Sequence, residues 1–241
     1  MRIKWLHLSD IHFNFKNFDS HSLREDFIAR ISNLSQAEPF THLFLTGDIL
    51  FQNKQADLET VAFIKKLVDV MHLSPKNIIL VPGNHDNDRQ IVIDQLKNLS
   101  DQNDSTIDTL DKAHRAALLT AFDKFDAVYT ELFGSSYYSN YDNPHVVCFS
   151  FPFTVIKVNT AWLDTNSSSP QSLRIGSRQL QLLLSSFDEE LQKTVNIAVG
   201  HHPLDELTVS EKNRILELFQ KHNIGIYFCG HTHRADIEVH R

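Results

Sequence analysis

A mixed α/β fold is predicted by two features of the sequence: short apolar runs with strand character, and longer stretches between them in which Leu, Ile, Val and Phe recur at helical spacing. A third feature says where the chemistry lies. Five of the apolar runs end in a Gly or Ser followed by Asp, Asn or His. At 241 residues the chain is long enough for one continuous core, so a single domain over residues 1–241 is expected.

The strand-like runs, in order, are Ile3 to Leu8, His42 to Thr46, Asn77 to Val81, Val146 to Phe151, Thr154 to Asn159, Val195 to Val199 and Ile224 to Cys229. Helices are expected over Ser22 to Leu34, Gln55 to Met71, Ala113 to Phe133, Ser177 to Leu191 and Ser210 to His222, each joining strand-like neighbours. The stretch from about Leu99 to Asn143 departs from this alternation. A polar segment, Asp101 to Thr106, precedes a long amphipathic helix and the cluster Tyr137-Tyr138-Ser139-Asn140-Tyr141, so a helical insertion or cap is expected around 101–145. Leu118, Phe122, Phe125, Tyr129 and Leu132 form a stripe that reads first as packing and second as a lid. Tyr137, Tyr138 and Tyr141 suit either half-buried strand positions or stacking on a base. The loop from Thr165 to Pro170 has the composition of a surface connection, and loops of that kind also border active sites.

Composition narrows the class. Hydrophobic residues make up 41% and charged residues 22%, with 7 Gly and 7 Pro, which fits a globular chain and excludes fibrous or disordered sequence. Cys148 and Cys229 lie in apolar runs without the spacing of a disulfide framework or a thiolate zinc site, so buried core thiols are expected. The chain enters a strand pattern at once and has no apolar run long enough for a signal segment or a membrane span, which favours the cytoplasm. A formal net charge of -7 argues against a broad electrostatic grip on nucleic acid, yet it leaves a nucleotide substrate open, because bound cations reverse the local potential.

The first run ends in Ser9-Asp10-Ile11-His12, and residues two apart at a strand end point the same way. Alone this is weak, since polar residues commonly finish strands. Repetition strengthens it. Gly47-Asp48, Gly83-Asn84-His85-Asp86, Gly200-His201-His202-Pro203 and Gly230-His231-Thr232-His233 follow four further runs. In open α/β sheets ligands bind beyond the carboxyl ends of strands, so the five ends would meet in one polar site rather than make five unrelated turns.

This ordered set resembles the calcineurin-like metallophosphoesterase superfamily, over the first hundred residues and the last fifty; the 101–145 stretch finds no counterpart in the shared motifs. The resemblance implies a layered α/β fold with two central mixed sheets flanked by helices. It also implies two metal sites, one held by Asp10, His12, Asp48 and His233, the other by Asp48, Asn84, His201 and His231, with Asp48 as the bridge. Purple acid phosphatases of this superfamily carry a tyrosine ligand three residues after the bridging Asp, where this chain has Phe51, so two divalent ions are expected instead of a ferric one. Imidazole, carboxylate and amide donors suit Mn²⁺, the favoured ion, as well as Fe²⁺ or Zn²⁺.

The function so implied is hydrolysis of a phosphoester by a hydroxide bridging the two ions. His85 would donate a proton to the leaving oxygen or stabilise the transition state, with Asp86 orienting it and His202 in a supporting position. His201-His202-Pro203 with Gly-Asn-His-Asp and Gly-His-Thr-His looks most like the cyclic-nucleotide-phosphodiesterase-like branch, which favours a phosphodiester. A nuclease effector domain of a larger protein, a phosphomonoesterase and a non-catalytic metal-binding scaffold are the alternatives. The family fold usually continues past its Gly-His-x-His motif, so a longer parent protein is also expected. The remaining histidines, His7, His21, His42, His72, His114, His145, His222 and His240, carry no motif and are expected in packing or solvated roles.

Overall fold

The apolar runs form two sheets. In the first, β1 (Trp5–Leu8), β2 (His42–Thr46) and β3 (Ile78–Val81) are parallel and lie in that order. In the second, β4 (Val146–Ser150) is antiparallel to β5 (Phe153–Lys157), and β5, β6 (Val195–Val199) and β7 (Ile224–Phe228) are parallel. The computed structural model describes residues 2–13, 20–52, 58–99, 103–138, 142–150, 152–165 and 171–233. Tyr141, His240, residues 101–102, 166–170 and 235–241, and the start of the expected second helix at 55–57 lie outside the described residues.

Both sheets were expected to be mixed; among the described residues the first is wholly parallel. Its strands are joined through α1 (Ser20–Ala37) and α2 (Leu58–Met71), and a helical crossover returns the chain to the same end of the sheet. Among the described residues, β4 and β5 are the antiparallel pair.

Strands β2, β3, β5 and most of β6 read as near-continuous apolar runs because both their faces are covered. Leu43, Leu45 and Leu80 point into one core with the helices, whereas Phe44, Ile79 and Val81 point into a second core shared with Val155, Ile197 and Val199 of the other sheet. Ile156 and Ala198 turn the opposite way, toward α7 (Ser177–Ser185) and α9 (Val209–Lys221). The layers are therefore helices, three-stranded sheet, four-stranded sheet, helices, with each fully buried aliphatic side chain contributing about 1.5–3 kcal/mol.

The 101–145 stretch belongs to the first helical layer. It forms α4 (Asp104–Asp108), α5 (Lys112–Leu119) and α6 (Asp123–Phe133), after α3 (Arg89–Lys97). Leu118, Phe122 and Phe125 of the expected stripe are buried in the first core, with Tyr129 and Leu132 packed against them, so the stripe is packing. Tyr137 and Tyr138 are buried there as well, and Asn159 donates to the Tyr138 hydroxyl at 2.6 Å, which occupies them structurally. The long helix expected over 113–133 is broken by a 3-10 turn at Thr120–Phe122, and the one expected over 177–191 splits into α7 and α8 (Asp188–Leu191). The first break frees the Ala121 carbonyl, which accepts from the Asp88 N–H at 2.7 Å and so anchors the loop that carries Asn84 and His85. Cys148 and Cys229 are half-buried instead of fully buried. Among the described residues no helix is long and apolar enough to cross a membrane.

Because Phe125 is fully buried against Tyr129 and Tyr137, Phe125→Ala is expected to cost about 3–5 kcal/mol in urea unfolding. A helix serving as a lid over the surface would leave the midpoint unchanged.

Candidate metal centre

The five polar strand ends meet at the carboxyl edge of the two sheets, and backbone hydrogen bonds set their register. Asp10 N–H donates to the Gly47 carbonyl at 3.1 Å and His12 N–H to Asp48 at 2.9 Å, which aligns the first two loops. Gly200 N–H reaches Phe228 at 2.9 Å and Gly230 N–H reaches His201 at 2.8 Å, which aligns the last two. Asp10, His12, Asp48, His231 and His233 all have positive φ, between 45° and 71°. That region is costly for side chains with a Cβ, and Asp, Asn and His are the residues found there most often after glycine.

Four ligating atoms converge at one end of the site. His201 Nδ1 donates to the Thr46 carbonyl at 2.7 Å, which leaves its Nε2 facing inward. Around that nitrogen stand Asn84 Oδ1 at 3.0 Å, His231 Nδ1 at 3.2 Å and Asp48 Oδ2 at 3.4 Å. Lone pairs crowded this closely need a shared cation or proton between them. Burial opposes charge on His201, but the Asp48 carboxylate outweighs it and holds the imidazole up to about 9. Burial likewise opposes charge on Asp48, and His201 and the His85 N–H turn its pKa downward.

Asp48 also faces the second group. Its Oδ1 accepts the His85 N–H at 2.8 Å, while Oδ2 lies 3.8 Å from His12 Nε2 as well as near His201. Ligating atoms of Asp10, His12 and His233 lie within 4.8 Å of one another, with His233 Nε2 3.4 Å from Asp10 Oδ1. Asp10 Oδ2 accepts the His231 N–H at 3.0 Å, whereas Oδ1 is buried with no hydrogen-bond partner. A buried, orphaned carboxylate oxygen beside two imidazoles fits a divalent cation, and the donor set of oxygen and nitrogen atoms fits Mn²⁺, Fe²⁺ or Zn²⁺. All seven residues singled out in the sequence thus come together around Asp48.

His85 and Asp86 lie beside them in different roles. The His85 ring stacks on Phe51 with centroids 5.3 Å apart and meets His12 edge-on at 4.8 Å. Its Nδ1 accepts the Gln52 N–H at 3.3 Å, which places the proton of the neutral ring on Nε2; burial, the largest influence, lowers its pKa. Asp86 was expected to orient His85. Its oxygens instead accept backbone N–H groups of Leu50 at 2.7 Å, Gly83 at 2.8 Å and Ile49 at 3.3 Å, so it ties the Asp48 and Asn84 loops together. Complete burial, followed by the nearby Asp48 charge, pushes its carboxyl up to about 7.

Three further residues carry no signal in the spacing of the sequence. Thr160 Oγ1 accepts the N–H groups of both His201 and His202 and lies 2.9 Å from His202 Nδ1. Glu206 Oε2 stands 3.4 Å from His231 Nε2, the nitrogen turned away from His201. The Tyr227 hydroxyl donates to the His202 carbonyl at 2.7 Å. All three act on motif histidines that local spacing does not link to them, so only the folded chain reveals them. His202 itself is buried, 4.5 Å from the His231 ring, and its burial drives the pKa well down. His145 is a packing histidine, donating to Ile175 at 2.9 Å, with burial lowering it to about 4.

A model of the calcineurin-like phosphoesterase family matches residues 3–235, and the chain belongs to that family. The family's chemistry is metal-dependent hydrolysis of phosphoesters. The chain is similar to a Bacillus subtilis (strain 168) protein described as "Uncharacterized metallophosphoesterase-like protein YydB", 28% identical over 245 residues, which cover 99% of this chain and 50% of that protein. It spans about half the length of the curated relative it matches.

The close approach of the loops makes a specific demand at Gly47. Its φ is +88°, and an added Cβ would lie 2.7 Å from both Gly83 N and His201 Nδ1. Gly47→Ala is expected to lose more than about 2 kcal/mol. Gly134→Ala, at φ +73° with nothing within 4 Å, should lose about 1 kcal/mol. Equal losses in urea titrations would mean that backbone conformation alone requires glycine at 47.

Proposed function

We propose that this chain hydrolyses a phosphodiester, with Asp10, His12, Asp48 and His233 holding one divalent ion and Asp48, Asn84, His201 and His231 the other. The observation that carries the proposal is the position of Asp48 Oδ2, within 3.4 Å of His201 Nε2 and 3.8 Å of His12 Nε2. A carboxylate oxygen between two sets of donors is what a shared ligand requires. Mn²⁺ is the favoured ion, since no thiolate favours zinc and Phe51 supplies no phenolate for a ferric ion. The preference for a diester rests on the His201-His202-Pro203 form of the fourth motif.

When bound, two divalent ions acidify the attacking water and draw charge from the phosphoryl oxygens. The chain's own groups do the rest. Asp48, Asn84 and the motif histidines fix the donors on strand ends, so little reorganisation accompanies the reaction. His85 is neutral, with its proton on Nε2, and donates a hydrogen bond to a phosphoryl oxygen as charge builds there. Phe51 holds the ring plane by stacking, and the Gln52 N–H holds the tautomer. Glu206 fixes the outward nitrogen of His231 and thereby the direction of its Nδ1.

Asp48→Ala should lose bound metal and turnover together, whereas His85→Ala should keep metal and lose about 10²–10³ in kcat. Metal content by mass spectrometry, with hydrolysis of bis(p-nitrophenyl) phosphate and p-nitrophenyl phosphate side by side in Mn²⁺, checks both. Preference for the monoester would make the chain a phosphatase, and tight metal binding without turnover would favour a scaffold. Equal metal loss in the two variants would end the role given to His85.

Metal loading should also depend on pH in a defined direction. With His201 held up to about 9, the unliganded site carries its proton below that pH, and binding must release it. Mn²⁺ affinity of the site that contains His201 is expected to fall about tenfold for each unit of pH below about 9, with one proton released as that site fills. Calorimetry in buffers of different ionisation enthalpy measures that proton directly, and a pH-independent affinity would contradict it.

A further inference from the structure

A cavity of about 340 Å³ opens beside Asn84, and we propose that it is a subsite for a second phosphate of the substrate, one unit along from the phosphoester that is cleaved. The proposal rests on the phosphoesterase reading above and specifies the substrate: a phosphodiester that carries a further phosphate.

The lining carries the inference. Arg89 and Lys124 bring two positive charges to the wall, and Gln52, Asn87 and Gln90 add amides, in a chain whose formal charge is -7. Asp88 is the acidic residue of the lining, and its Oδ1 is engaged by the Gln90 N–H at 3.1 Å, as the cap of α3. Arg89 is half-buried and has no hydrogen bond or ion pair among the described residues. As a residue of the lining, Arg89 supplies a guanidinium whose planar set of donors matches phosphate oxygens two at a time.

The wall is held in place. Asp88 N–H is bonded to the Ala121 carbonyl, which fixes the start of α3 against the turn that leads to Lys124. Asn87 Nδ2 donates to the carbonyls of Ala161 at 3.0 Å and Asp164 at 3.3 Å on the other side. The backbone that carries the two cations is thus fixed next to Asn84, and next to Gln52, whose N–H sets the His85 ring. The volume lies at the lower end of the range for small-molecule sites, about 300–1,000 Å³, and exceeds what a lone phosphate fills. Room for a sugar or nucleoside unit between two phosphates is therefore available. Such a ligand comes either from an oligonucleotide end or from a nucleotide polyphosphate, and the two are separable by experiment.

The test compares kcat/KM on the dinucleotide TpT with that on pTpT, TpTp and a dinucleoside tetraphosphate, in the wild type, Arg89→Ala, Lys124→Ala and Lys193→Ala. At least one phosphorylated substrate should be preferred over TpT by about tenfold in the wild type and in Lys193→Ala, and the ratio should fall to about one in the other two variants. Preference for pTpT or TpTp points to a strand end; preference for the tetraphosphate alone points to a small-molecule polyphosphate. A wild-type ratio near one, or equal losses on TpT and the phosphorylated substrates, overturns the subsite. Calorimetric binding of thymidine 3′,5′-bisphosphate separates this from failure of the functional reading. Binding that weakens about tenfold in Arg89→Ala, without turnover of any ester, would keep the subsite and remove the phosphodiesterase; no binding and no turnover would remove both.

Discussion

Asp48 is 1% exposed, and a carboxylate in that position is tolerable only if both oxygens are engaged. The fold meets this condition in two directions. Oδ1 takes the N–H of His85, and Oδ2 lies near both His201 and His12. The other features of the site follow from that placement. Asn84 and His231 must approach His201 to share its inner nitrogen, Gly47 and Gly83 must lack side chains for their loops to touch, and Asp86 must bind three backbone N–H groups so that the loops cannot part.

The same requirement accounts for the unusual backbone. A strand that simply continued would point alternate side chains to opposite faces, whereas the site needs consecutive loop residues to turn toward one point. Left-handed conformations at Asp10, Asp48 and His231 make that turn immediately after the strand, at a cost of about 1–2 kcal/mol each. Side chains that can hydrogen-bond locally carry this cost best, and five of the seven candidate ligands sit at such positions, Asn84 and His201 being the exceptions. The bonds from Asp10 and His12 to the neighbouring loop hold those conformations against relaxation.

Much of this was legible before the fold was known. The central strands were readable because burial on both faces leaves near-continuous apolar runs, and the seven candidate ligands were readable because they follow the ends of such runs. What escaped reading depends on partners distant in sequence. α3 has only Val92 and Leu96 as buried markers, too few for a periodic signal. The break at Thr120 exists because Ala121 must receive the Asp88 N–H, a contact invisible to local patterning. Asp86 looked like a partner for its neighbour His85, yet burial made the backbone of other loops the more urgent claim on its oxygens. Glu206 and Arg89 sit in stretches that resemble ordinary surface helix starts, and only the placement of His231 and of the cavity gives them a purpose.

Net charge is a poor guide to what such a site binds. The lining beside Asn84 carries Arg89 from α3 and Lys124 from α6 against one acidic residue, Asp88, in a chain of formal net charge -7. Lys124 comes from the helical stretch that shares no motif with the family, whereas Asn84 comes from a motif loop. The division has a physical basis. Loops at strand ends are locked by the close contacts that the centre needs and tolerate little change, but a helix packed by an apolar stripe can alter its exposed side chains without disturbing Phe122 or Phe125 beneath. The Asp88 to Ala121 hydrogen bond is where the motif loop and that helical layer are joined.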